Sequence, residues 1–136
     1  MINITFQIST GYITDDAGNL LSSVAYAGND SRTPQNPDHI QGKNNPEMTG
    51  IEFIGPLPVG VYNVGPFGNY PVVGVNAAKL SQMSGESYGR GDFYIHGQEN
   101  PNSINFGQES EGCLVVPHSD RLIIAALIPT QLTVIA

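Results

Sequence analysis

Residues 93 to 117 read FYIHGQENPNSINFGQESEGCLVVP. The first four alternate, with Phe93 and Ile95 on one side and Tyr94 and His96, joined by Asp92, on the other. That is the period-two pattern of a strand with two unlike faces. A polar loop rich in Asn and Gly follows. Gly112 then leads into Cys113-Leu-Val-Val, a short apolar run that reads as a second strand. The only cysteine of the chain and one of its three histidines therefore stand at two strand edges, each beside a glycine, with one loop between them.

The flanking sequence extends the β pattern. In INITFQIS (2–9), Ile2, Ile4, Phe6 and Ile8 share one face of a half-buried strand. DDAGN (15–19) is turn chemistry and predicts a hairpin between Tyr12–Ile13 and Leu20–Tyr26. Gly28 to Thr49 is a long polar loop, and GPLPVGVYNVG (55–65) is a proline-stiffened turn entering a strand. VVGVNAAKLSQM (72–83) fits a strand or a helical turn. SDRLIIAAL (119–127) is the best helix candidate, with Ser119 as N-cap, Asp120 in the first turn and Pro129 as the stop. QLTVIA (131–136) closes the chain as a strand. The expectation is one mainly β domain spanning residues 1–136, with one or two short helices.

The totals agree. The chain has 136 residues, 16 Gly and 10 Pro, a composition that favours short strands joined by turns. Net charge is −7, and its five basic residues (Arg32, Lys43, Lys79, Arg90, Arg121) are scattered along the sequence. Nucleic-acid binding needs clustered cations and is not expected. No apolar run is long enough to span a membrane. A single cysteine excludes an internal disulfide and a thiolate zinc cluster. His39, His96, His118 and Cys113 match no zinc-site spacing, so no metal or other cofactor is expected. MINITFQIST has no basic start followed by an apolar core. The expectation is synthesis in the cytoplasm without a secretory signal.

A thiol is mostly protonated at neutral pH, and a nearby imidazole can take its proton and leave a strong nucleophile. Cys113 as nucleophile and His96 as base would make such a dyad. Backbone N–H groups around Gly112 and Cys113 would face the oxyanion, and a carbonyl of the Ser110–Gly112 turn would fix the imidazole. The plain alternative is a small buried cysteine and an incidental histidine. His118, five positions past the cysteine, is a rival base better placed for capping. Tyr94 shares the face of His96 and either lines the site or packs.

IHG followed by a loop and SEGCLVV resembles the signature of the L,D-transpeptidase family, a His-Gly pair and then Ser-x-Gly-Cys. GPLPVGVYNVG resembles the Pro-x-Gly-x-Tyr segment that precedes it there. YGRGDFYIHG is similar to the compact branch represented by the Tlde1-type effectors of type VI secretion systems. The resemblance implies a compact β-sandwich and a cysteine enzyme acting on peptidoglycan stem tetrapeptides, as an L,D-carboxypeptidase, a transpeptidase or an exchanger of D-amino acids. It makes Cys113 the nucleophile, His96 the base, and Ser110 and Gly112 the turn that shapes the oxyanion hole. Gly97 is the glycine after the histidine. The arginine many members carry just after the cysteine is replaced by Val115 and Val116. Arg121 is the nearest downstream, and Arg90 is the candidate for binding a substrate carboxylate. The resemblance further implies delivery by secretion machinery to the periplasm of a target bacterium, and a cognate immunity protein. A catalytically inactive peptidoglycan-binding or structural module of the same fold is the alternative.

Overall fold

The computed structural model describes residues 2–30, 40–71, 73–97 and 112–136. The alternating Asn3–Gln7 forms β1, and Tyr12–Thr14 (β2) and Leu20–Ser22 (β3) form the expected hairpin beside it. Tyr26–Ala27 is not part of that hairpin. It forms a separate strand, β4, because the chain bends over residues 23–24 and the Ala25 N–H turns back to the Gly11 carbonyl. A 3₁₀ turn at Pro46–Met48 precedes β5 (Gly60–Val64), β6 (Gly68–Tyr70) and β7 (Gly74–Ser84). The ambiguous stretch before Met83 is thus a strand. Pairing with β5 on one side and β8 (Phe93–His96) on the other decides it, where local propensity does not. β9 (Leu114–Val115), α1 (His118–Ala126) and β10 (Gln131–Ile135) complete the chain.

The helix has its cap two residues earlier than the sequence suggests. Its N-cap is Pro117, locked in an extended conformation, and no side chain caps the first turn. Ser119 is inside the helix rather than at its cap. Asp120 lies in the first turn and accepts a hydrogen bond from the Ser22 hydroxyl at 2.8 Å.

Hydrogen-bonded strands run in the order β3-β2-β1-β10-β5-β7-β8-β9-β4, with β6 added to β7. The protein is mainly β with one α-helix, and its sheet curls on itself. Ile4, Phe6 and Ile8 of the first strand and Tyr62, Leu80, Phe93, Ile95, Leu114, Ile124 and Leu132 from across the chain all belong to one buried cluster. Tyr62 and Phe93 meet edge to face at 6.2 Å inside it. Burying a large apolar side chain contributes roughly 1.5–3 kcal/mol, so this cluster is the main stabilising term. Among the described residues no helix is long and apolar enough to cross a membrane.

Candidate active site

β8 and β9 run parallel, with Ile95 opposite Leu114 and His96 opposite Val115. Phe93, Ile95, Leu114 and Val116 point into the core. Alternation then puts Tyr94, His96, Cys113 and Val115 on the outer face. The register continues one step back to place Cys113 beside Tyr94, whose N–H donates to Cys113 Sγ at 3.4 Å. His96 is two residues further along the neighbouring strand. Strand spacing and rise put the two Cα positions about 8 Å apart, with both side chains directed to the same side.

His96 is 8% exposed, and its Nδ1 lies 2.7 Å from the Gly97 carbonyl. A carbonyl only accepts, so Nδ1 carries the proton and Nε2 keeps the lone pair. That is the tautomer of a general base acting through Nε2. Among the described residues the carbonyl that meets His96 Nδ1 is that of Gly97. Ser110 and Glu111 lie outside the described residues, as does His39. The S–H of Cys113 points towards the Asp92 carbonyl at 3.7 Å, and the sulfur is partly exposed. Asp92 holds a left-handed backbone, φ 59°, which aims that carbonyl at the thiol.

Two buried arginines frame the pair. Arg90, 9% exposed, is placed beneath the site. Its Nη1 donates to the Thr49 and Pro56 carbonyls at 2.5 and 2.7 Å, and its Nη2 donates to Gly55 at 2.9 Å. Its guanidinium stacks over Phe93 at 5.4 Å. Burial pushes the Arg90 pKa down, while Tyr62, Glu52 and Cys113 act in the opposite sense. The guanidinium is therefore electrostatically coupled to the cysteine, and a neighbouring cation favours the thiolate. In this position Arg90 ties the Gly55–Pro56 segment down, and its hydrogen bonds go to the chain's own carbonyls instead of outward to a substrate carboxylate.

Gly112 sits directly on that tie. Its φ of 129° suits glycine, and a Cβ there would come within 2.5 Å of Arg90 Nη2 and 2.8 Å of the Phe93 ring. The Gly112 carbonyl accepts from the Leu57 N–H at 2.9 Å. Because the peptide unit is planar and trans, the N–H of Cys113 is held pointing the opposite way. The proline-stiffened 55–58 segment thus sets the orientation of the Cys113 amide, next to the thiol.

Arg121, on α1, is the second frame and is 5% exposed. It donates to the carbonyls of Val116 at 2.6 Å and Asn76 at 3.2 Å, and to His118 Nδ1 at 3.3 Å. Burial lowers its pKa. It packs so tightly against Gly97 that any Cβ there would overlap the guanidinium. Gly97 therefore lies between the imidazole it orients and this arginine. His118, the rival base, is occupied at the helix start with Arg121. Tyr94 packs edge to face on Tyr70 at 5.4 Å and forms a wall beside the sulfur.

The sequence marks neither the Arg121–Gly97 contact nor the Leu57–Gly112 bond, since both join segments far apart in the chain. No family model matches the sequence. No curated protein matches it at a significant level. Solved structures do match the fold. The helical cell shape determining protein Pgp2 from Campylobacter jejuni aligns over 98% of this chain and 46% of its own, with a TM-score of 0.58 and 14% identity. L,D-transpeptidase 3 from Mycobacterium tuberculosis, in complex with a faropenem-derived adduct, aligns over 99% of this chain and 60% of its own, with a TM-score of 0.52 and 17% identity. An L,D-transpeptidase from Mycobacterium smegmatis gives 99% and 58%, a TM-score of 0.51 and 11% identity. The chain has the compact, mainly β fold of the L,D-transpeptidases, and it spans about half the length of the proteins it matches.

Proposed function

We propose that the protein is a cysteine-dependent acyl-transfer enzyme acting on peptidoglycan stem tetrapeptides. The observation that carries the reading is the placement of Cys113 and His96 on one outer face of adjacent parallel strands, with the His96 Nδ1 bonded to Gly97 so that Nε2 is the basic nitrogen. Support comes also from the fold shared with two proteins named L,D-transpeptidases and with a determinant of cell shape.

In the reaction, Nε2 of His96 takes the Cys113 proton. The thiolate attacks the carbonyl between the third residue and the terminal D-alanine, and the Cys113 N–H, with a further donor, meets the oxyanion. Collapse breaks the C–N bond, His96 returns the proton to the leaving amine, and a thioester remains. Water resolving it gives carboxypeptidase activity. An amine or D-amino acid gives transpeptidation or exchange. Gly97 and Gly112 hold the imidazole and the nucleophile's amide. Tyr94 lines the substrate side. Delivery to the periplasm of a target bacterium, with an immunity protein as partner, extends this reading. It predicts growth arrest on periplasmic expression that Cys113→Ala removes.

The decisive test incubates purified muropeptides with the protein, Cys113→Ala and His96→Ala, followed by mass analysis. Loss of tetrapeptide only with the unaltered protein is the expected result. Equal survival in all three overturns the proposal.

A further inference from the structure

The outer face continues beyond the dyad. Lys79 of β7 pairs with Tyr94 of β8, which neighbours Cys113, the residue before β9, and the Gly65 N–H bonds to the Lys79 carbonyl at 2.9 Å. Gly65, Lys79, Tyr94 and Cys113 therefore form one row across four strands. In antiparallel and parallel pairs alike, directly opposed residues share a face, so the Lys79 side chain rises on the same side as the sulfur. Gly65 puts no side chain on its far flank.

Among the described residues the cations of this acidic protein gather around that row. Arg90 lies under Gly112 and Arg121 lies against Gly97, and both are committed to backbone carbonyls. Lys43 sits over the Tyr26 ring at 4.5 Å, and Tyr26 pairs with Val115 next to the site. Lys79 differs from all three. It is exposed, and among the described residues its ammonium has no hydrogen-bond, ion-pair or ring partner. A pocket of about 440 Å³ opens beside it, lined among others by Lys79, Ser81, Met83, Ser87 and Asp92. Asp92 is also the residue whose carbonyl faces the thiol. It is the one carboxylate in the pocket lining, and it forms no ion pair with Lys79.

We infer that Lys79 is the specificity-determining cation of this site, binding the free α-carboxylate of a peptide one residue beyond the carbonyl that Cys113 attacks. This rests on the acyl-transfer reading and adds to it the group that selects the substrate. The geometry sets the spacing. Two inter-strand steps separate Lys79 from Cys113, about 9–10 Å, and an extended peptide advances about 3.3 Å per residue. A carbonyl at the sulfur therefore puts a carboxylate one residue on within the reach of a lysine side chain leaning back across Tyr94. The amino acid released carries that carboxylate, and an incoming amino acid would be held by the same ammonium. A peptide lacking the charge, or extended past that residue, leaves Lys79 unmatched.

The test uses the full chain and two synthetic tetrapeptides that differ only at the C-terminus, one a free acid and one an amide. Equilibrium binding is measured in a Cys113→Ala background, with and without Lys79→Met or Lys79→Arg, and kcat/KM is measured with the cysteine present. We expect the acid to be preferred about 2- to 5-fold, the scale of one ion pair at an exposed site. Lys79→Met should reduce that preference to about one, and Lys79→Arg should restore most of it. Thermal melts of each variant separate this from unfolding. A preference that survives Lys79→Met overturns the inference, as does equal or absent binding of the two peptides by the unaltered chain. Turnover of both peptides without preference would leave the enzyme reading intact and remove Lys79. A Lys79-dependent binding preference without turnover would do the reverse.

Discussion

The two sides of the β8–β9 pair are built from interleaved residues, and they do different work. Phe93, Ile95, Leu114 and Val116 are carbon only and 0–4% exposed. Tyr94, His96 and Cys113, one position away, carry every polar side-chain atom of the pair. The inner side fixes where the strands lie, and the outer side inherits that placement. The chemistry is positioned by packing it does not touch, so the two sides should respond oppositely to truncation.

The largest effects should come from the outer side. Cys113→Ala is expected to abolish turnover, and His96→Ala to lower kcat about 10²–10⁴-fold. Both should keep a near-normal melting temperature. A cooperative loss of structure in either would break the comparison. On the inner side, Ile95→Ala or Leu114→Ala should cost about 2–5 kcal/mol in denaturant unfolding. At denaturant-free concentrations the folded fraction should keep an activated thiol.

Gly112→Ala tests the seam between the two sides. A left-handed backbone costs about 1–3 kcal/mol for a residue with a side chain, and here the methyl also meets Arg90 and Phe93. Turnover should fall more than stability does, because the Cys113 amide is displaced. Arg90→Met should move both properties modestly. It strands the carbonyls of Thr49, Gly55 and Pro56 and withdraws a cation from the sulfur. The alkylation rate of Cys113 should then need a higher pH to reach half its maximum. An unchanged profile would mean that the arginine acts on the fold alone.

The smallest effect is a control far from both sides. The Asp15 carboxyl is held below its ordinary value chiefly by the side-chain hydrogen bond from Asn19, helped by backbone N–H groups of Asn19 and Ala17. Its folded pKa is the lower one, so its contribution is present above the ordinary carboxylate range and is lost as pH falls through the depressed value. The small stability gap between the protein and Asp15→Asn should therefore close as pH falls below the ordinary carboxylate range and through the depressed Asp15 value. Turnover should not change.

Period-two alternation made β1 and β8 legible, because each has one buried face, and the DDAGN turn marked the β2–β3 hairpin. Alternation failed to settle β7, whose Ala77–Ala78 centre favours a helix locally and is held as a strand by partners on both sides. It placed Tyr26 in the wrong strand, since pairing with β9 is invisible locally. It missed the cap at Pro117, where a fixed proline backbone stands in for a side-chain hydrogen bond. At the site, alternation alone put Tyr94 and His96 together. The burial of Arg90 and Arg121 depends on carbonyls supplied by other segments, and no local pattern records that.

β1 and β10 lie side by side in parallel, Asn3 opposite Gln131, in the interior of the strand order. β10 is the bridge between the β1–β3 hairpin region and the strands bearing the dyad. The two parts of the sheet therefore join only through a contact between Asn3–Gln7 and Gln131–Ile135, more than a hundred residues apart in sequence. Closure over so long a loop is entropically costly and slow.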